Sequence, residues 1–102
     1  MASVADLVEE PALRRLVGPE PYAEGLALAD AGAVRLVEFA PLKVVADVAD
    51  GSPPPRVELE SREGELAWRC ECDEGVAGLG CRHLAATGIV TWRRSPGRSS
   101  PD

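Results

Sequence analysis

The chain places all three of its cysteines and its only histidine within fourteen residues: Cys70-Glu71-Cys72, eight intervening residues, then Cys81-Arg82-His83. No other feature constrains the fold as tightly. Three thiols and one imidazole are, in type and number, a tetrahedral zinc set. Three cysteines cannot all pair within one chain, and a reducing compartment disfavours disulfides, so the arithmetic points to metal.

Spacing dictates how such a site is built. Period-two alternation puts Cys70 and Cys72 on one side of a strand or of its end. Residues two apart in a helix lie about 200° apart, so Cys81 is expected just before a helix and His83 in its first turn. The link DEGVAGLG holds Gly75, Gly78 and Gly80, which permit a tight backbone reversal around an ion. Three thiolates and one imidazole saturate four-coordinate Zn2+, leaving no position for water or substrate. The expectation is one structural zinc, no catalytic residue and no small-molecule substrate. Two rival readings are weaker: the cysteines as small buried hydrophobes with His83 on a helix surface, and a Cys–His nucleophile pair. The second leaves two cysteines idle and has no third group to orient the base.

The rest of the chain must supply a strand and a helix for this clamp. Ser3 can cap a helix over residues 3–17, with Val4, Leu7, Val8, Leu13 and Leu16 near helical spacing and Pro11 either restarting or kinking it. The run Gly18-Pro19-Glu20-Pro21 is expected to end it. Five strands are predicted, at 25–29, 33–39, 43–49, 56–61 and 65–70, with turns at Asp30-Ala31-Gly32, Pro41, Asp50-Gly51-Ser52-Pro53 and Arg62-Glu63-Gly64. A second helix is predicted over 82–93, and the tail SPGRSSPD reads as disordered. The fold class expected is α+β: an N-terminal helix, a small antiparallel β meander and a C-terminal ββα zinc unit. The division is 1–21 for the helix and linker, 22–94 for the meander plus finger (finger core 66–93), and 95–102 for the tail.

The pattern Cys-x-Cys, x8, Cys-x-His followed by a helix-forming run resembles the SWIM zinc finger, and from about Tyr22 to Trp92 the chain is similar to small bacterial SWIM-domain proteins. Tyr22 and Gly25 match that family's aromatic and following glycine. Ala46-Asp47-Val48, displaced by one residue before Gly51-Ser52, matches its Ala-x-Val-x-Gly-Ser segment, and Val57-Glu58-Leu59 its Val-x-Leu strand. Glu24 departs from the pattern, standing where a basic residue is common, and prolines replace a frequent aromatic. The resemblance implies a ββα zinc unit that binds DNA or proteins. Helicase, transposase or ligase activities of larger relatives do not carry over to these residues.

Charge bears on the choice of partner. Net charge is −6, with eleven acids against five bases in residues 1–61 and six of each in residues 62–102. Acidity opposes non-specific binding to polyanions. The first expectation is therefore a protein-interaction or regulatory module, its acidic sheet face meeting a basic partner. The alternative is a nucleic-acid-binding finger using Arg82, Arg93, Arg94 and Arg98 on phosphates, with Trp68 or Trp92 stacking on a base. A second alternative is a redox switch in which Cys70 and Cys72 oxidise and release zinc. No apolar run reaches membrane-span length and the N-terminus lacks a basic flank before an apolar segment, so a cytoplasmic protein is expected.

Overall fold

Ser3 opens the structure with a reciprocal cap. The Asp6 N–H donates to Ser3 Oγ at 3.3 Å, and the Ser3 N–H returns a bond to Asp6 Oδ2 at 3.1 Å, which satisfies donors that a helix start leaves unpaired. The computed structural model describes residues 3–51 and 53–94. The element order is α1 (Val4–Leu7), α2 (Glu10–Val17), α3 (Pro19–Asp30), β1 (Val34–Ala40), β2 (Lys43–Val48), β3 (Arg56–Arg62), β4 (Glu65–Cys70), α4 (Asp73–Val76) and α5 (Arg82–Arg94). The class is α+β with a four-stranded antiparallel sheet.

Pro11 restarts the first helical region: α1 ends at Leu7 and α2 begins at Glu10 with the proline in its first turn. The strand expected at 25–29 is absent, because those residues lie inside α3. Gly18, at φ +91°, stops α2, yet Pro19 and Pro21 then sit in the first turn of α3 rather than breaking it. A proline costs nothing in a first turn, where its missing N–H would have had no intrahelical partner. The alanines and leucines of Gly25–Ala29 favour helix intrinsically, and Leu26 and Leu28 alternate too briefly to distinguish period two from 3.6. The four remaining strands and the second helix stand within one residue of their expected bounds. The tail 95–102 lies outside the described residues.

The sheet is a meander in the order β1-β2-β3-β4. A two-residue turn, Glu63-Gly64, joins β3 to β4 with both residues at positive φ (53° and 81°), the hairpin geometry that suits strand twist. Register aligns Ala46 with Val57 and Val57 with Cys70, and in the next row Val44 with Leu59 and Leu59 with Trp68. These rows face the helices. Val44, Ala46, Val57, Leu59 and Cys70 are at most 1% exposed, and they share one core with Leu84, Ala85 and Ile89 of α5, with Val4 of α1 and its C-cap Val8, and with Leu13 and Val17 of α2. Helix α5 touches every strand, while α3 packs along its other side. The core therefore delivers Cys70, at the end of β4, to the N-terminal end of α5.

Candidate metal centre

Each donor is set in place by an element boundary. Cys70 is the last residue of β4, its side chain on the helix-covered face. Cys72, two residues on, is the N-cap of α4, with its sulfur accepting the Gly75 N–H at 3.3 Å. Cys81 directly precedes α5 and its sulfur accepts the Leu84 N–H at 3.4 Å. His83 is the second residue of α5. The link expected to be a plain reversal contains the one-turn helix α4, which shortens the path between the two ligand pairs. Gly75 is required at that turn, since a Cβ there would lie 2.5 Å from the Cys70 carbonyl oxygen.

The four donor atoms lie within 4.8 Å of one another. Cys70 Sγ is 3.5 Å from Cys72 Sγ and 3.8 Å from His83 Nδ1. Two sulfurs bound to one tetrahedral zinc at about 2.3 Å would stand roughly 3.8 Å apart. The residues present therefore fit a four-coordinate metal ion in donor type, number and spacing. Cys70, Cys81 and His83 are buried and Cys72 is half-buried, so the pocket between them is shielded from bulk water.

Electrostatics inside the cluster follow from crowding. The Cys81 thiol is pulled down to about 4, chiefly by its hydrogen bond with Cys70, with further help from His83 and the Leu84 N–H and against the opposing effect of burial. Cys70 moves the other way, pushed far above the ordinary thiol range by its hydrogen bond with Cys81 and by burial. His83 is raised to about 9, first by its bond with Cys81 and then by Cys72 and Asp50. One negative charge is thus concentrated on Cys81, at the N-terminus of α5, where helix N–H groups and the helix dipole favour it.

A carboxylate completes the surroundings. Asp50 Oδ2 lies 2.7 Å from His83 Nε2 and 2.7 Å from Arg82 Nε. Both cations hold the Asp50 carboxyl below the usual carboxylate range, the Arg82 hydrogen bond first and the His83 bond second. In the sequence Asp50 reads only as part of the turn Asp50-Gly51-Ser52-Pro53, because nothing in a linear pattern ties it to a histidine thirty-three residues later.

Three of the arginines proposed for phosphate contact, Arg82, Arg93 and Arg94, lie on α5. Arg82 is engaged with Asp50, Arg93 pairs with Asp30 at 2.9 Å, and Arg94 is exposed at the end of α5. Arg98 lies outside the described residues. Trp68 and Trp92 are half-buried and pack against the core. Carboxylates on the open face of the sheet are matched by arginines: Asp47 with Arg56 at 2.8 Å, Glu60 with Arg62 at 2.7 Å and Glu58 with Arg69 at 3.8 Å. That face is a mixed-charge lattice rather than an acidic patch. A concavity of about 430 Å³ opens between α2, α3 and α5 around Leu13, Tyr22, Leu26, Ile89 and Trp92, and contains none of the four donors.

No protein family, curated protein or solved structure matches this chain. Among the described residues no helix is long and apolar enough to cross a membrane.

Proposed function

We propose that the chain is a SWIM-type zinc module, with β3, β4 and α5 as its ββα frame, in which a closed structural zinc holds an apolar loop in shape for a protein partner. The observation that carries this reading is the loop between the two ligand pairs. Val76 is 77% exposed and Leu79 59% exposed, while the loop is tied down on both sides. At one end Gly75 packs on Cys70; at the other, a Cβ on Gly80 would lie 2.7 Å from the Leu16 carbonyl oxygen and from Val17 Cα. Two large aliphatic side chains exposed three residues apart on one tied-down loop support an interaction surface there. Four protein donors close the coordination shell, which supports a structural rather than a catalytic metal.

A nucleic-acid role rests on Arg82, Arg93, Arg94 and Arg98, and the engagement of Arg82 with Asp50 and of Arg93 with Asp30 reduces the charge these two offer to phosphate. The test uses the zinc-loaded chain as bait in lysate of its source organism, alongside Val76→Asp/Leu79→Asp. Capture of a defined protein by the wild type, lost in the double variant at unchanged zinc content, is the expected result. If the wild type instead binds DNA or RNA with a steep salt dependence and the double variant binds equally, the interaction reading fails.

A further inference from the structure

The imidazole of His83 is held from both sides. Nδ1 faces the thiols, 3.8 Å from Cys70 Sγ, while Nε2 faces away from them, 2.7 Å from Asp50 Oδ2. Asp50 belongs to the β2–β3 connection, where its backbone N–H is fixed to the Val48 carbonyl at 2.8 Å. Its carboxylate is half-buried and receives Arg82 Nε on the same oxygen. We propose that Asp50 is a positioning residue of the metal centre, fixing His83 in the tautomer that presents Nδ1 to zinc and tying the β2–β3 connection to metal affinity.

An ionised carboxylate only accepts hydrogen bonds, so the ring nitrogen facing Asp50 must carry the proton. A neutral imidazole has one N–H, and placing it on Nε2 leaves the lone pair on Nδ1, directed into the sulfur cluster. The hydrogen bond also fixes the ring plane and makes the bound nitrogen more basic. Arg82 contributes by holding the carboxylate. Its neighbour is the ligand His83 on the same helix turn, so the clamp closes across only two adjacent residues of α5 and one residue of the β2–β3 connection. This gives Arg82 a role inside the protein that requires no phosphate. Among the described residues, the charged groups acting on Asp50 are Arg82 and His83, and neither repels it.

The inference rests on the zinc reading above, and the experiment separates the two. Zinc affinity is measured by chelator competition for the wild type, Asp50→Ala, Asp50→Asn and Arg82→Ala, with zinc-saturated folding followed by circular dichroism. Two-bond 1H–15N spectra identify which His83 nitrogen is bound. The expected result is a roughly 10–100-fold weaker affinity for Asp50→Ala, a smaller loss for the near-isosteric Asp50→Asn, whose amide oxygen still accepts from Nε2, and a still smaller loss for Arg82→Ala. The wild type should show zinc on Nδ1 and a slowly exchanging Nε2 proton. Equal affinities for the wild type and both Asp50 variants, or ligation through Nε2, would overturn the role of Asp50 while leaving the zinc reading intact. A wild type that takes up no zinc overturns both. Should Asp50→Ala fail to fold, the affinity of Asp50→Asn and the wild-type tautomer still decide the matter.

Discussion

Gly25 of α3 approaches Ala85 of α5 so closely that a methyl group on the glycine would lie 2.5 Å from the alanine Cβ, 2.7 Å from the Ala86 nitrogen and 2.8 Å from the Arg82 carbonyl oxygen. Two of those three atoms are backbone, and backbone in a helix does not yield cheaply. Replacing Gly25 by Ala should gain roughly 0.5–1 kcal/mol of helix propensity and lose about 1–3 kcal/mol to overpacking. The expected net effect is destabilisation. Because the displaced atoms include Arg82, between Cys81 and His83, zinc affinity should fall together with the melting temperature. A variant as stable as the wild type, measured by thermal unfolding, would show that the two helices can part without cost.

The same contact shows what could be read from the chain and what could not. Tyr22 and Gly25 were legible as a recurring pair, but not as the start of a helix, since a short Leu-Ala-Leu-Ala run has no decisive period and its prolines look like breakers until they are placed in a first turn. Strands β1, β3 and β4 were legible because Val34 and Leu36, Val57 and Leu59, and Trp68 and Cys70 alternate with charged residues. The four candidate metal donors were legible because thiols and imidazole are rare here and clustered. Asp50 was not, since its meaning lies in a contact across the fold. The pairing of Asp47 with Arg56 and of Asp30 with Arg93 was equally hidden, and it alters what the charge count implies: acids that looked free on the sheet are matched by cations, and an arginine that looked free on the helix is matched by an acid.

Two glycines in the metal loop should respond differently to alanine. At Gly75 a Cβ would meet the carbonyl oxygen and Cβ of Cys70 at 2.5 and 2.6 Å, whereas at Gly78, with φ at +84°, it would meet nothing within 4 Å. Gly75→Ala must therefore move a ligand, and should weaken zinc binding. Gly78→Ala bears only the strain of a left-handed backbone, about 1–2 kcal/mol. Chelator competition on both variants checks this; a Gly78→Ala loss equal to that of Gly75→Ala would mean that loop conformation, not contact with Cys70, sets the site.

Zinc should be present at one ion per chain by elemental analysis, and Cys72→Ser should lower the melting temperature far more than Arg69→Ala. Removing a ligand forfeits folding free energy that is coupled to metal binding. Arg69 is 73% exposed and reaches Glu58 only at 3.8 Å, a kind of surface pair that contributes little or nothing measurable. Chelation of the wild type should reproduce the Cys72→Ser shift. Equal melting shifts for the two variants would show that the fold does not depend on metal.

The last prediction concerns protons. In metal-stripped protein at neutral pH, His83, raised to about 9 first by its bond with Cys81, is an imidazolium, and Cys70, pushed up by Cys81 and by burial, is a thiol, while Cys81, lowered to about 4 by Cys70, is already a thiolate. A zinc ion binds neutral imidazole and thiolate, so uptake must expel the protons of His83 and Cys70 and any proton that Cys72 carries. The sign follows directly: the stripped form holds more protons than the loaded form, so affinity rises with pH. Each proton displaced corresponds to roughly a tenfold gain per pH unit. The His83 contribution should flatten once the pH passes about 9, while that of Cys70 continues. Cys81, ionised well below neutrality, contributes no slope in this range. Calorimetric titrations between pH 6 and 8.5, each in two buffers of different ionisation enthalpy, give the number of protons released directly. An affinity that stays level across that range, with no buffer dependence of the heat, would show that these donors do not meet the metal in the way their arrangement requires.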